Sequence, residues 1–301
     1  MLQLKNPNIA IPIVLIAGVF WSFGPYVVRH IDQPELVPWQ YLFARGLVIF
    51  ILLNIYLFLD EGKEFYKNYF KIGLSGLIGG IGLGLAMITF IWSITNTSAA
   101  ITLLCLAAMP FITALLGFLF LKEQISLNVW TAIGLATIGI VIMALGNTEK
   151  SSLLGLILGL VSAIGFSIFS VSLRWRKETP KFTTVAIAGM ICCLFSSIMI
   201  VLNDANFLSS SKNQALFATH GSLVCLGLIL YSIGSKNIPA AELTLLSLTE
   251  IIGGIFWVWL PVLGINEVPT TNTIIGGFLI FSSIIYYSLI IQHNKRFIGL
   301  N

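Results

Sequence analysis

The stretch AAELTLLSLTEIIGGIFWVWL, from Ala240 to Leu260, decides the fold class of this chain. It is almost wholly apolar, and about 20 such residues suffice for a helix to cross a bilayer. At about 1.5 Å of rise per residue, Glu250 lies roughly 15 Å along this helix, near the bilayer midplane. A charged group at that depth costs on the order of 3 kcal/mol or more, so intramembrane carboxylates usually face a protein interior or a water-filled cavity.

Two interpretations of Glu250 stay open from the sequence. In the first, the carboxyl group binds a substrate or a proton inside a carrier. In the second, Glu250 is a protonated or hydrogen-bonded residue that joins helices for structural reasons only. The general behaviour of ionisable groups in membranes favours the functional interpretation.

The composition of the whole chain is also that of a membrane protein. Hydrophobic residues make up 57% of its 301 residues and charged residues 9%, whereas soluble domains carry about 25% charged residues. We therefore predict an all-α integral membrane protein. Apolar runs bounded by polar residues, Pro or Gly predict ten transmembrane helices, near 9–29, 37–59, 71–94, 98–120, 127–146, 152–174, 182–202, 215–235, 240–261 and 273–292.

The basic residues predict the orientation of these helices. With ten crossings both termini lie on one side, and that side collects 12 of the 16 Lys and Arg residues. The other side holds Arg29, Lys150 and Lys212, and Arg45 lies inside the second helix. Basic loops stay in the cytoplasm, so we expect both termini there, in a multi-pass protein of the bacterial inner membrane. Their scatter over short loops argues against nucleic acid as a partner.

The chain also repeats itself. WSFGPYVVR (Trp21–Arg29) aligns with FSIFSVSLR (Phe166–Arg174) at an offset of 145, and the segment from Gly79 to Ala100 aligns with His220 to Ala241 at an offset of 141. We predict two five-helix repeats, 1–146 and 152–294. Because five is odd, the second repeat is inverted relative to the first, an arrangement typical of secondary transporters that bind substrate near the midplane.

Several motifs resemble the EamA family of the drug/metabolite transporter superfamily, in two copies over nearly the whole chain. The first copy carries Trp21–Ser22, Arg29, the FARG stretch from Phe43 to Gly46, Ser98–Ala99–Ala100, Pro110, Lys122–Glu123, Gly134 and Gly139. The second copy carries Pro239–Ala240–Ala241, Glu250, Glu267 and Gly276–Gly277, but has Ile251 where the first copy has Pro110. The resemblance implies a ten-helix carrier of small metabolites, often amino acids, frequently an exporter.

Aromatic residues within the predicted helices suggest the chemistry of the substrate. The candidates for an aromatic wall are Trp21, Tyr26, Phe90, Trp92 and Tyr231. Such walls attract organic cations with about 0.5–2 kcal/mol per contact, although deep aromatic residues also simply pack. Together with the Glu250 carboxylate they favour a small amine, quaternary ammonium compound or zwitterion, and Glu250 could exchange this substrate for a proton.

Arg45 is the second charged candidate, roughly 10 Å into the second helix. It could bind a substrate carboxylate or pair with an acidic residue of a gate; alternatively, it satisfies helix-end carbonyls near the outer face. His220, near the outer start of the eighth predicted helix, is either a proton relay or a hydrogen-bonded structural residue.

Enzyme chemistry finds little support in the sequence. It contains no nucleotide-binding loop, no metal-ligand spacing and no nucleophile–base motif. We therefore predict no catalytic residues, no metal and no cofactor. The partners that we expect are a small molecule, the lipid bilayer and protons. The alternative to a carrier is a non-transporting membrane sensor or assembly factor.

Overall fold

A computed structural model of the chain describes residues 9–34, 37–97, 99–145, 152–176, 178–265 and 268–297. Ser98, Lys150 and Glu267 lie outside these ranges, as do Lys5 and Lys177, two of the 12 basic residues counted on one predicted side. The helices are α1 (Ala10–Trp21), α2 (Phe23–His30), α3 (Pro38–Glu61), α4 (Lys67–Phe70), α5 (Gly73–Asn96), α6 (Ala99–Leu106), α7 (Met109–Leu116), α8 (Leu127–Leu145), α9 (Leu153–Trp175), α10 (Lys181–Leu202), α11 (Ser211–Gly234), α12 (Ala240–Ser247), α13 (Thr249–Trp259) and α14 (Thr271–Phe297). The described part of the chain contains no strand.

The all-helical membrane fold is confirmed. Nine segments of the described chain are long and apolar enough to cross a membrane: Ala10–His30, Pro38–Phe70, Gly73–Asn96, Thr102–Leu121, Leu153–Trp175, Lys181–Leu202, Ser211–Gly234, Ala240–Trp259 and Thr271–Leu289. The apolar helix Leu127–Ile142 is shorter. It occupies the position of the fifth predicted crossing, so the count of ten stays a prediction.

Three of these segments are interrupted within their apolar run. α1 gives way to α2 at Ser22, α6 to α7 before Met109, and α12 to α13 at Leu248. Pro25 and Pro110 follow the first two breaks, as expected for a residue that cannot donate its backbone amide. The third break has no proline: Leu248 N donates to Leu245 O over 3.2 Å, an i→i−3 bond that locally tightens the helix.

Close backbone contacts hold the bundle together. α5 and α9 form the most extensive helix pair, and they cross where Gly82 meets Gly165. A Cβ atom added to Gly82 would lie 2.8 Å from the Gly165 carbonyl oxygen, so neither position accepts a side chain without moving a backbone. Small residues permit this packing in membranes, where hydrophobic burial does not drive helix association.

The helix contacts follow the exchange expected of two related halves. α1 packs on α11 as α5 packs on α9, and α3 packs on α11 as α10 packs on α5. In the order of the predicted crossings, α1, α3, α5, α9, α10 and α11 are the first, second, third, sixth, seventh and eighth. The two helices of each contact therefore correspond to the helices five crossings away in its counterpart. The division into repeats at 1–146 and 152–294 remains our proposal, and this pattern supports it.

Large apolar side chains cover the outside of the bundle. Those that are exposed at mid-helix positions include Leu115, Phe118, Leu194, Ile198 and Phe278. In water such a surface would be an aggregation hazard. In a bilayer it is the surface that lipid chains contact.

Candidate functional site

A cavity of about 70 Å³ lies inside the bundle, beside the middle of the segment Ala240–Trp259. One water molecule needs roughly 10–15 Å³ of such space, so the cavity holds a few water molecules. Its polar lining consists of Arg45, Ser162, His220 and Glu250. Its apolar lining consists of Trp21, Leu83, Ala86, Met87, Phe90, Leu106, Met109, Phe166, Val224 and Leu228.

Positions that correspond in the predicted repeat both contribute to this lining. Trp21 and Phe166 correspond at the offset of 145, and their rings meet edge to face at 5.4 Å. Met109 and Glu250 correspond at the offset of 141, and both line the cavity. In the predicted repeat, the cavity therefore lies between the two halves, and only the second half supplies a carboxylate at this pair of positions.

The break between α12 and α13 fixes the position of Glu250. Thr249, one residue before it, donates its hydroxyl to Leu246 O over 3.1 Å and to Leu15 O over 3.3 Å. Gly18 of α1 lies directly against this hydroxyl, where a Cβ atom would collide. The break is thus held against α1, and Glu250 follows as the second residue of α13.

The Glu250 side chain is partly accessible, and it lines the cavity. Among the described residues its carboxylate has neither a hydrogen-bond partner nor an ion-pair partner, although the Arg45 charge attracts it. A carboxylate that faces a cavity without such a partner can accept a hydrogen bond from a ligand or form an ion pair with it.

Trp21 is held in place by the backbone of α11. Its indole Nε1 donates to Val224 O over 3.3 Å, and the ring packs against Gly227, which has no side chain to displace it. The rings of Phe166 and Tyr231 flank the indole, each with a centroid distance of 5.4 Å. These contacts present the indole to the cavity.

Arg45 and His220 form the basic wall of the cavity. Arg45 is 3% exposed and its Nε atom has no hydrogen-bond partner, while His220 is 2% exposed. The Tyr41 hydroxyl is hydrogen-bonded to His220 Nδ1. Gly221 lets α11 lie close to α3, since a Cβ atom added to Gly221 would stand 3.3 Å from the Cα atom of Arg45. The two basic side chains therefore lie at one helix contact.

The remaining predicted binding residues lie elsewhere. Trp92 packs on Trp39 with ring centroids 4.7 Å apart, and its Nε1 atom has no hydrogen-bond partner. Tyr26 packs on His30, with centroids 4.5 Å apart. Tyr231 is fully buried behind Trp21 and shares a 2.7 Å hydrogen bond with the Ser170 hydroxyl. None of the three is part of the described cavity lining, and their part in binding stays a prediction.

His220 lies deeper than the sequence analysis placed it. We started the eighth predicted crossing at residue 215, whereas α11 begins at Ser211. The signal for this start is Ser210, whose side chain accepts a hydrogen bond from Asn213 N as a helix cap does. The extra turn moves His220 from the helix entrance to the cavity.

A second polar cluster, the Glu123–Arg174 clasp, joins both halves at the end of the bundle where basic residues gather. Arg174 Nε pairs with Glu123 Oε1 at 2.6 Å, and Arg174 Nη1 donates to Ser235 O and Ile238 O. Glu123 Oε2 accepts from Ala240 N over 3.1 Å. In the sequence both residues stand out only as parts of motifs, Glu123 in the family resemblance and Arg174 in the internal repeat. The clasp ties α9 and the α11–α12 connection to the segment that follows α7.

Comparisons with known proteins agree with this architecture. The model of the EamA-like transporter family matches residues 8–145. An uncharacterized transporter of Helicobacter pylori (strain J99 / ATCC 700824) is 25% identical over 82% of this chain and 84% of its own. The uncharacterized transporter YdfC of Bacillus subtilis is 26% identical, over 74% and 73%, and protein RarD of Streptomyces exfoliatus 21% identical, over 74% and 69%. A crystal structure of 17% identity shares the fold with a TM-score of 0.73, over 95% of this chain and 98% of that one.

The helical bundle and these matches define a multi-pass membrane protein of the transporter class. The model of the EamA-like transporter family matches residues 8–145, which confirms the resemblance predicted from the sequence.

Proposed function

We propose that this protein is a secondary transporter that moves a small cationic or zwitterionic metabolite across the bacterial inner membrane by alternating access. Candidate substrates are amino acids, amines and quaternary ammonium compounds. The observation that carries the proposal is Glu250, which lines a cavity at mid-membrane without a hydrogen-bond partner among the described residues. The aromatic rings of Trp21, Phe90 and Phe166 line the same cavity and supply the faces that attract organic cations.

Proton exchange follows from the cost of a carboxylate without an ion-pair or hydrogen-bond partner at this depth. With no ligand bound, a proton can neutralise the Glu250 carboxylate; a bound cation does the same and displaces the proton. The other charged or titratable groups of the cavity lining are Arg45 and His220. A carrier that is occupied alternately by substrate and by a proton performs antiport, with both termini cytoplasmic in our topology.

The test uses purified full-length protein in sealed liposomes that contain a pH-sensitive dye. Amino acids, amines and quaternary ammonium compounds are added outside one at a time, and antiport predicts that the lumen becomes more alkaline as substrate enters and protons leave. Glu250→Gln and protein-free liposomes are the controls. Entry of a labelled compound without a pH change would indicate uniport, whereas entry of none would favour the non-transporting alternative.

A further inference from the structure

We infer that Arg45 and His220 form a carboxylate-binding subsite within the cavity, so that the substrate is a zwitterion with its cationic group at Glu250 and its carboxylate at Arg45. This inference rests on the proposed function, because it assigns the substrate's second charge in the same site. It excludes simple amines and simple carboxylic acids as preferred ligands.

Arg45 supplies the main observation. Its guanidinium is buried, lines the cavity and retains a free Nε donor among the described residues. A buried charge without a hydrogen-bonded counter-ion is strongly disfavoured unless a ligand supplies the opposite charge. The planar guanidinium can donate two parallel hydrogen bonds to a carboxylate, so a carboxylate is the counter-ion that fits it best.

His220 adds a second donor to the same wall. If the Tyr41 hydroxyl donates to His220 Nδ1 in the hydrogen bond between them, the ring carries its hydrogen on Nε2. His220 lines the cavity, and its Nε2 atom lies close to Gly24, where an added Cβ atom would make a tight 3.3 Å contact. In this arrangement Arg45 and His220 both donate, as a carboxylate requires.

Glu250 provides the opposite charge. It lines the cavity from α13, whereas Arg45 lines it from α3, and the described structure contains no ion pair between them. A ligand with a cationic group and a carboxylate satisfies both residues at once. A simple amine would leave Arg45 without a counter-ion, and a simple acid would face the Glu250 carboxylate.

Ligand binding to the purified full-length protein tests the subsite. The probes are the twenty common amino acids and glycine betaine, followed by the methyl ester and the N-acetyl derivative of the tightest binder. We expect the ester to bind at least about tenfold more weakly, the loss of a charge-assisted hydrogen bond. Amines or esters that bind as tightly as the parent zwitterion would overturn the subsite, and so would a panel in which only amines bind. Either result would leave the role of Glu250 intact.

Variants separate this inference from the proposed function. Arg45→Gln should bring the ratio of zwitterion affinity to ester affinity close to one. Arg45→Lys keeps the charge but loses the planar guanidinium, so it should lower this ratio only partly. Glu250→Gln should instead weaken the zwitterion and its ester alike. An unchanged ratio in folded Arg45→Gln would contradict the subsite. If that variant does not fold, the wild-type probe series and Arg45→Lys decide the question.

Discussion

Arg45 and Glu250 line one cavity from α3 and α13, and the described part of the chain shows no ion pair between them. Opposite charges that are buried near each other would gain by closing that gap, because the membrane interior screens them weakly. The fold keeps them apart: Arg45 is fixed at the contact of α3 with Gly221, and Glu250 at the break beside Gly18. A ligand that carries both charges would satisfy the two residues at once.

The packing of the Trp21 ring against Gly227 gives the first prediction. Gly227→Ala places a methyl group where the indole lies, so the ring must leave Val224 O and swing into the cavity. We expect ligand affinity to fall several-fold, while the bundle still folds because only one side chain moves. Gly277→Ala is the matched control, since no atom lies within 4 Å of its added Cβ. It should leave affinity unchanged, and equal effects of the two substitutions in a thermal-shift titration would contradict this role of Trp21.

Tyr231 gives the second prediction. The phenol lies behind Trp21 and is fully buried, and Ser170 keeps a 2.9 Å bond to Phe166 O when the phenol oxygen is removed. Tyr231→Phe should therefore cost about 1 kcal/mol of stability at most and leave substrate affinity unchanged. Thermal unfolding and ligand titration of this variant check both statements. A large loss of affinity at constant stability would mean that Tyr231 contacts the substrate directly.

The third prediction concerns the clasp between Glu123 and Arg174. Both side chains are mostly buried, with 19% and 24% of their surface exposed, so removing one partner leaves the other charge poorly solvated. Glu123→Gln should lower stability by about 1–3 kcal/mol. The pair Lys67 and Glu64 is well exposed, so Lys67→Ala should change stability by less than about 0.5 kcal/mol.

A double-mutant cycle separates the clasp from the single losses. If Glu123→Gln and Arg174→Gln act through the ion pair, their combined cost is smaller than the sum of the two single costs. Strict additivity would show that the ion pair itself contributes nothing.

The fourth prediction is the orientation of the bundle. The 12 basic residues on one predicted side place both termini in the cytoplasm, and Ser210 on the opposite face. Reporter fusions at Ser210 and at the C-terminus should report opposite sides of the membrane. The same side for both fusions would contradict the topology.

Much of the fold follows from the sequence because lipid imposes simple rules. A helix that crosses a bilayer needs about 20 apolar residues, so the windows around 240–261 and 152–174 coincide with Ala240–Trp259 and Leu153–Trp175. The same count put Glu250 at mid-membrane. The start of α11 was placed four residues late because the cap at Ser210 is polar, and hydropathy does not mark it.

The lining of the site was harder to predict. Each residue turns a helix by about 100°, so Trp21 and Tyr26 point in quite different directions, and the sequence does not fix which of them faces inward. The break at Leu248 has no proline to announce it. The Glu123–Arg174 clasp joins residues 51 apart in sequence, and only the folded chain brings them together.

Proton release on ligand binding tests the central claim, that Glu250 holds either a proton or the substrate. The purified full-length protein is titrated in a weak buffer with the tightest-binding amino acid, and the pH is recorded. We predict release of up to one proton per bound ligand, weaker binding at lower pH because protons compete, release retained by Glu250→Asp, and none from Glu250→Gln. Binding to wild type without proton release, or equal release from Glu250→Gln, would contradict the account.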